Sequence, residues 1–373
     1  MRPIVQLLIV VGLLGAGSPV GGDARARARI TAPPRVAPAS LVLPGEFEPA
    51  ERLIVAWDDY LADFLLDVMA AAWDQVHITV LLAPGQPDDL LTEGLTDAGL
   101  DPWLIEEVRV PIGSVWVRDF GPLVVRNQRG ARHIVDFAYY LDDIEDDLPS
   151  ALGRRLWPNW PVKRSSLDIE GGNLLSDGRG QCITTAGYVD DDMAPIDTID
   201  DVSLRRELRA KLGCRRLVIL PPLLGEPTGH VDMFATITSP GEVLLGRFDP
   251  DLDPDNAARL DRAERILREA GFRVRRIPMA YHGDGVFRSY TNSLAINKVV
   301  IVPVYPESPE GEAEALAAFQ AAYPGRRIVP VIASDIIPLY GAVHCATMTV
   351  AAPPDKPVRQ HAPAQRRARR RGK

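Results

Sequence analysis

Apolar residues recur in two alternating patterns along most of the chain. Five segments have apolar residues three and four positions apart, which predicts amphipathic helices: residues 60–75, 88–99, 203–212, 255–270 and 312–322. Short runs rich in Val, Ile and Leu alternate with them and predict strands: residues 52–56, 76–82, 123–125, 133–137, 182–185, 243–245, 299–302 and 328–332. This alternation of strands and helices predicts an α/β fold.

The strand pattern is also repetitive. A short strand that leads into a loop recurs near Val124, Ile183, Leu244 and Val300, at intervals of 59, 61 and 56 residues. A period near 60 is longer than the repeats of solenoid proteins. It suits a ring of supersecondary units, each with two or three strands and one helix, around a central cavity where loops from every unit meet.

The two ends of the chain differ from the middle. Residues 1–22 place Arg2 before an apolar run and small residues, which predicts a signal peptide and a secreted or periplasmic bacterial protein. The run is shorter than the roughly 20 apolar residues of a spanning helix, although an uncleaved anchor is the alternative. Residues 23–44, rich in Arg, Ala and Pro, predict a linker, and residues 353–373 predict a basic disordered tail. The folded domain is then 45–352, with no integral membrane span.

Charge and cysteine content narrow the possible functions. The net charge is −8, but residues 1–35 carry +4 and residues 353–373 carry +7, so the region between them holds about −19. Such a region repels nucleic acid and attracts cations, which favours a positively charged substrate. Three cysteines allow at most one disulfide, and they leave open whether Cys182 and Cys214 are bonded or only buried.

Polar residues in glycine-rich or strand-adjacent contexts are candidates for chemistry, because such contexts direct side chains into clefts. Five segments qualify: Val115-Trp-Val-Arg-Asp-Phe-Gly-Pro122, Asp168-Ile-Glu-Gly-Gly-Asn173, Thr228-Gly-His-Val-Asp232, Ser289-Tyr-Thr-Asn292 and Val343-His-Cys345. We call one residue in each the marker: Asp119, Glu170, His230, Asn292 and Cys345. They are separated by 51, 60, 62 and 53 residues, so the spacing predicts one marker per unit, around one cavity.

These residue types suggest a thiol nucleophile. Side chains alternate between the faces of a strand, so if Cys345 faces the cavity, the adjacent His344 faces away and is structural. By the same rule His230 and Asp232 share one face, which makes His230 the better proton-transfer group. Core positions for Cys345 and His230 are the simpler alternative for each residue taken alone.

Two carboxylates in one cleft are costly unless a cation lies between them. A guanidinium fits best between Asp119 and Asp232, because its forked donors pair with carboxylates. Attack of Cys345 on its central carbon would release ammonia and leave an amidino-thioether for hydrolysis. Glu170 is placed to hold His230 charged and oriented by a hydrogen bond.

The same segments resemble the agmatine deiminase and bacterial Porphyromonas-type peptidylarginine deiminase family. The resemblance rests on Trp116-Val-Arg-Asp-Phe-Gly-Pro122, Glu170-Gly-Gly-Asn173, Gly229-His-Val-Asp232, Ser289-Tyr-Thr-Asn292 and His344-Cys345. It implies a pentein fold, a five-bladed α/β propeller of ββαβ-type repeats around a central active-site cavity, and a deiminase that needs no metal or cofactor.

The resemblance also implies roles for particular residues. Cys345 is the nucleophile, His230 the general acid and base, Asp119 and Asp232 the guanidinium clamp, and Glu170 the support of the histidine. Asn292 and Trp116 match further positions on the substrate-binding side. The expected substrate is a small guanidino cation or an arginine-bearing peptide.

One departure from the family affects the choice of substrate. Agmatine deiminases are glycine-rich just before the His-Cys pair, whereas this chain keeps only Gly341 there. With the predicted export, this favours peptidyl-arginine over agmatine, with agmatine close behind. An amidinotransferase of the same fold and a non-catalytic binder of cationic ligands are the alternatives. A metal hydrolase is disfavoured because no H-x-x-x-H or C-x-x-C pair occurs.

Overall fold

Strands and helices alternate throughout the residues that the computed structural model describes, 41–139, 144–186, 201–280 and 283–353. Their α-helices are α1 (Ala62–Ala72), α2 (Asp89–Asp97), α3 (Val117–Phe120), α4 (Leu148–Leu156), α5 (Asp201–Leu212), α6 (Pro254–Glu269) and α7 (Glu312–Ala322). Their strands are β1 (Leu41–Val42), β2 (Ala50–Ala56), β3 (His77–Leu82), β4 (Glu106–Arg109), β5 (Leu123–Asn127), β6 (Arg132–Ala138), β7 (Val162–Asp168), β8 (Leu175–Ser176), β9 (Gln181–Thr185), β10 (Arg216–Leu220), β11 (Ala235–Ser239), β12 (Glu242–Arg247), β13 (Arg273–Pro278), β14 (Leu294–Ile296), β15 (Val299–Val304), β16 (Arg327–Ile332) and β17 (Met348–Ala351).

The strands form five separate sheets in the described part of the chain, and none of these sheets closes on itself. The orders are β1-β5-β6-β7, β10-β9-β8, β11-β12-β13, β14-β15-β16 and β17-β2-β3-β4. Each sheet contains an antiparallel pair followed by a parallel pair, and a helix connects the two parallel strands. The predicted ββαβ repeat is therefore confirmed five times, while the closure of the units into a propeller stays a prediction.

All of the predicted strands and helices are present, and two of the strands that the sequence pattern missed have a common cause. The strands β7 and β13 lie at sheet edges, where alternate residues face solvent and polar side chains break the apolar runs. By contrast, β15 lies between two other strands and is buried along its whole length, so it forms a continuous run of apolar residues.

The fifth sheet joins the two ends of the described chain. Its β17 pairs antiparallel with β2, with Met348 opposite Ile54. The folded region also begins earlier than predicted, because Leu41 and Val42 form a strand that pairs with β5. The backbone N–H of Leu43 donates to the Leu212 carbonyl at 2.9 Å. The predicted linker end at residue 44 is therefore too late.

The predicted signal peptide, the linker up to residue 40 and the basic tail beyond residue 353 lie outside the described residues. Within those residues, no helix combines the length and the apolar character that a membrane crossing requires.

A disulfide settles the question that the sequence left open about two cysteines. Cys182, on the middle strand β9, is bonded to Cys214, which lies between α5 and the edge strand β10. The bond therefore ties the connecting segment to the strand pair of its own unit. Cys345 is left as the only free cysteine, and it is buried.

We expect loss of the Cys182–Cys214 bond to lower the free energy of unfolding by about 3–4 kcal/mol, the chain-entropy value for a loop of this length. The measurement is urea unfolding of the wild type and of the variant that combines Cys182→Ala with Cys214→Ala. A reductant should shift the wild-type midpoint to the variant's and leave the variant unchanged. Equal shifts in both proteins would contradict the prediction.

Candidate active site

The five markers occupy the short segments that lead into the first strand of each ββαβ unit. The pairs of marker and following strand are Asp119 and β5, Glu170 and β8, His230 and β11, Asn292 and β14, and Cys345 and β17. Each unit therefore contributes one marker, as the spacing predicted. The period near 60 residues is the length of one unit.

Three of the predicted side chains converge on the backbone of Gly172. Its N–H donates to Asp119 Oδ1 at 2.9 Å. A Cβ at this position would lie 2.6 Å from Asp119 Oδ1, 2.7 Å from His230 Nδ1 and 3.2 Å from Asp232 Oδ2. These contacts bring residues from three units together around one point, and they leave space only for glycine there.

His230 is bound between carboxylates. Its Nε2 shares a hydrogen bond with Glu170 Oε2, and its Nδ1 lies 3.7 Å from Asp119 Oδ1. Burial opposes the charged ring, but Asp119 and Glu170 outweigh it and raise the pKa of His230 to about 10. The structure therefore contains the direct hydrogen bond between Glu170 and His230 that the sequence predicted.

Polar side chains fix the backbone around His230. Asn173 Oδ1 accepts hydrogen bonds from the Val231 and Thr185 N–H groups, both at 3.1 Å. Glu226 Oε2 accepts from the Gly229 N–H at 2.8 Å. The predicted strand through His230 and Asp232 is wrong, because Val231–Met233 form a 3₁₀ turn. Both side chains nevertheless reach the site.

Cys345 is buried beside an amide and a carboxylate. Its Sγ lies 2.9 Å from Asn292 Nδ2, which donates to it, and 3.4 Å from Asp232 Oδ2. Burial, reinforced by Asp232 and Asp119, raises the pKa of the thiol well above its usual value. Without a bound cation, Cys345 is therefore a neutral thiol at pH 7.

Asn292 holds the turn that carries Cys345 instead of facing outward. Its Oδ1 accepts hydrogen bonds from the N–H groups of Ala342 and His344 at 3.0 Å, and of Cys345 at 3.2 Å. Its Nδ2 donates to the sulfurs of Cys345 and Met233. Because both ends of the fully buried amide are occupied by protein groups, the structure gives Asn292 a positioning role. The predicted contact with substrate has no support in this geometry.

Trp116 and Gly341 form one wall beside the nucleophile. A Cβ at Gly341 would lie 2.5 Å from the Trp116 ring and 3.0 Å from Cys345 Sγ. The one glycine retained before the His-Cys pair is thus required by a close approach. Its neighbour Tyr340 has a φ of 73° and is half-exposed, so the chain places an aromatic side chain in a strained conformation next to this wall.

The prediction that His344 faces away from the site is wrong. Residues 343–346 form a turn, so strand alternation does not apply to them. His344 Nδ1 lies 2.7 Å from Asp232 Oδ2, and its Nε2 lies 2.7 Å from Glu46 Oε2. Burial and Arg118 oppose a charge on the ring, but Glu46 and Asp232 raise the pKa of His344.

Asp119 and Asp232 have the character expected of a cation clamp. Burial, together with Glu170 and Asp232, raises the pKa of Asp119 in spite of the nearby His230. Asp232 is buried, and its Oδ1 accepts no hydrogen bond from any described residue. Buried acceptors of this kind are costly unless a donor reaches them, so a ligand with several N–H donors fits the site.

A thiol, a charged imidazole and two carboxylates can perform nucleophilic substitution at a cationic carbon. The described residues hold no group of three or more His, Cys, Asp or Glu side chains that could bind a metal ion. The thiol, the imidazole and the two carboxyl groups instead contact one another, with His230 Nδ1 3.7 Å from Asp119 Oδ1 and Cys345 Sγ 3.4 Å from Asp232 Oδ2.

Comparison with known proteins matches this arrangement to one family. The model of the Porphyromonas-type peptidyl-arginine deiminases matches residues 42–351. The chain belongs to this family.

Individual relatives and solved structures that resemble this chain are named agmatine deiminase. An agmatine deiminase of Pseudomonas aeruginosa is 26% identical over 83% of this chain and 95% of its own length. One from Ectopseudomonas mendocina is 30% identical over 69% of this chain and 79% of its own. The Enterococcus faecalis agmatine deiminase structure has a TM-score of 0.72 and 22% identity, covering 83% of this chain and 95% of that one. Its likeness shows the shared α/β fold.

Sequence patterns missed three residues that contact the candidate site: Glu46, Arg118 and His344. His344 was predicted to face away because of strand alternation, and Arg118 was given no role. Glu46 lies 298 residues before His344 in the chain, so no local pattern could connect the two.

The contacts of Gly172 predict that Gly172→Ala displaces Asp119 or His230 and costs about 1–3 kcal/mol of stability by overpacking. Gly113→Ala is the matched control, since its Cβ would meet nothing closer than 3.4 Å, and we expect it to cost less than about 0.5 kcal/mol. Urea unfolding of both variants measures the costs. Equal stability of the two variants would contradict the convergence on Gly172.

Proposed function

We propose that this protein is a guanidino-group deiminase that hydrolyses a small guanidino cation, with agmatine as the first candidate, to the ureido product and ammonia. The observation that carries the proposal is the placement of Cys345 Sγ 3.4 Å from Asp232 Oδ2, in a site where Asp119, His230 and Asp232 all approach Gly172. The relatives that are named agmatine deiminase support agmatine as the substrate.

Substrate binding adds the positive charge of a guanidinium beside the carboxyl groups of Asp119 and Asp232. The guanidinium donates hydrogen bonds to Asp119 and to the open Oδ1 of Asp232, which keeps Asp119 ionised. The same cation offsets the carboxylates that raise the pKa of Cys345, so the thiol loses its proton to the solvent when substrate is bound. The site is thus arranged so that the nucleophile forms together with the complex.

The reaction then proceeds in two halves. The thiolate attacks the guanidinium carbon, a C–S bond forms, and the C–N bond breaks as His230 gives its proton to the departing ammonia. Water, deprotonated by the neutral His230, attacks the amidino-thioether, the C–S bond breaks, and the ureido product leaves. His230 therefore acts first as the general acid and then as the general base.

Peptidyl-arginine is the second candidate, because two observations favour an enzyme outside the cytoplasm, where it would meet the arginines of other proteins. The Cys182–Cys214 disulfide is of a kind that persists in oxidising compartments, and the N-terminal apolar run has the form of a signal peptide. We therefore propose a secreted or periplasmic location. The relatives named agmatine deiminase give no support to peptidyl-arginine, so it ranks below agmatine here.

The contacts and the charge of the protein also bear on how its five units close and on which partners it binds. We propose that the five ββαβ units close into a five-bladed propeller, which the convergence of markers from several units supports. The charge of about −19 between the two basic ends supports cationic partners over nucleic acid.

We expect Cys345→Ala to abolish product formation while the protein stays folded, because the reaction has no other nucleophile. The measurement is ureido product and ammonia from agmatine, free arginine and an arginine-containing peptide, for both proteins. Lack of a cysteine-dependent product from all three substrates would refute the deiminase proposal. Product that requires an added amine would indicate an amidinotransferase.

Glu170→Gln is expected to shift the pH dependence of kcat. In the wild type the pKa of His230 is raised to about 10, so the ring keeps its proton below that pH and loses it above. Removing the Glu170 carboxylate lowers this pKa by about one unit or more, which moves the alkaline limb of the kcat profile to lower pH. Glu314→Gln, at a surface ion pair with Arg247, is the control; a limb that stays in place in both variants would exclude His230 as the acid.

A further inference from the structure

A chain of charged groups, most of them buried, extends from Asp232 of the clamp to Arg118. Asp232 Oδ2 contacts His344 Nδ1 at 2.7 Å, and the other ring nitrogen contacts Glu46 Oε2 at 2.7 Å. Glu46 Oε1 in turn lies 2.6 Å from Arg118 Nη1. The Asp232, His344 and Arg118 side chains are at most 5% exposed, so these contacts are largely shielded from solvent.

The same chain of groups is attached to the nucleophile turn. The backbone N–H of Arg118 donates to the Cys345 carbonyl at 3.2 Å, and its Nε donates to the His344 carbonyl at 3.3 Å. Arg118 is also the neighbour of Asp119 in α3. The network therefore joins the segment that carries one clamp carboxylate to the side chain that carries the other.

The contacts of Asp232 distinguish its two oxygens. Oδ2 interacts with His344 and with Cys345 Sγ, whereas Oδ1 accepts no hydrogen bond from the described residues. A carboxylate can rotate about its bond to Cβ, so without His344 only the longer contact with Cys345 Sγ, at 3.4 Å, would select one orientation. The contact with the imidazole ring holds Oδ2 of Asp232 and leaves Oδ1 without a hydrogen bond from the described residues.

We propose that His344, held by Glu46 and Arg118, is the positioning residue that orients Asp232 and presents its Oδ1 to the guanidinium group of the substrate. This inference rests on the proposed function, because it assigns Oδ1 to the substrate of that reaction. It gives the conspicuous His-Cys pair a role that involves no proton transfer to or from the thiol.

The charges around the ring support this role. The groups that face His344 are Asp232, Glu46 and Arg118, and the two carboxylates outweigh burial and Arg118 and raise its pKa. Burial alone would raise the pKa of Glu46, but Arg118 and His344 lower it to about 2. A charged ring between two carboxylates donates through both nitrogens and leaves neither able to accept a proton.

The test is a double-mutant cycle in the Cys345→Ala background, where agmatine binding can be measured by calorimetry without turnover. We expect His344→Gln to weaken agmatine binding about 10-fold or more. In a protein that already carries Asp232→Asn, the same change should weaken binding less than about 2-fold, because the group on which it acts is gone. Equal effects in the two backgrounds would overturn the proposal.

A second measurement does not require that the deiminase proposal be correct. Cys345 is the only free thiol, so its alkylation by iodoacetamide can be followed directly. Loss of the imidazolium leaves Asp232 uncompensated beside Sγ, so His344→Gln should slow alkylation at pH 8 about 10-fold. Asp232→Asn should accelerate it.

Glu46→Gln provides an independent variant in case His344→Gln does not fold. It should weaken agmatine binding and slow alkylation in the same directions. Glu48→Gln is the matched control, since Glu48 pairs with Arg126 and accepts from the Gly45 N–H, and it should change neither quantity. Wild-type alkylation and binding in both His344→Gln and Glu46→Gln would refute the positioning role, whereas absence of turnover in the wild type would refute only the proposed function.

Discussion

Buried negative charge is the constraint on which the centre of this protein depends. The network around the nucleophile contains four carboxyl groups and three cationic groups: Asp119, Glu170, Asp232 and Glu46, with His230, His344 and Arg118. Charges in such a place are tolerated only when they are paired. The set lacks one positive charge, and burial together with Glu170 and Asp232 raises the pKa of Asp119. A guanidinium can supply the charge that the set lacks.

The fold satisfies this constraint by bringing together the equivalent lead-in segments of several units. The lead-in segment before the first strand of a unit is irregular, so its side chains and its N–H groups are both available for contacts. Gly172 and Asn292 show the two uses: one offers a backbone that three side chains approach, and the other holds a turn with a single amide oxygen. Rigid sheets behind these segments keep the distances fixed.

The same property explains how far the sequence could be interpreted. The period of about 60 residues was visible because every unit repeats the order of strands, helix and lead-in segment, so Cys345 and His230 were found with their partners. Arguments from strand alternation failed at His344 because the markers lie in turns before strands. The contact between Glu46 and His344 joins distant parts of the chain, and the strands β7 and β13 lack apolar runs because they lie at edges. Neither kind of feature leaves a local signal.

The pairing of β17 with β2 has a consequence for how the protein is made. The strand that follows Cys345 completes a sheet whose other strands are synthesised first, so that sheet stays unfinished until nearly the whole folded region has been produced. The contact between Glu46 and His344 likewise cannot form until His344 has been synthesised. Synthesis from the N-terminus therefore delivers Asp119, His230 and Asp232 before Cys345, and Cys345 is followed directly by the strand that pairs with β2. The candidate site is therefore complete only when the last strand of the described fold has been produced.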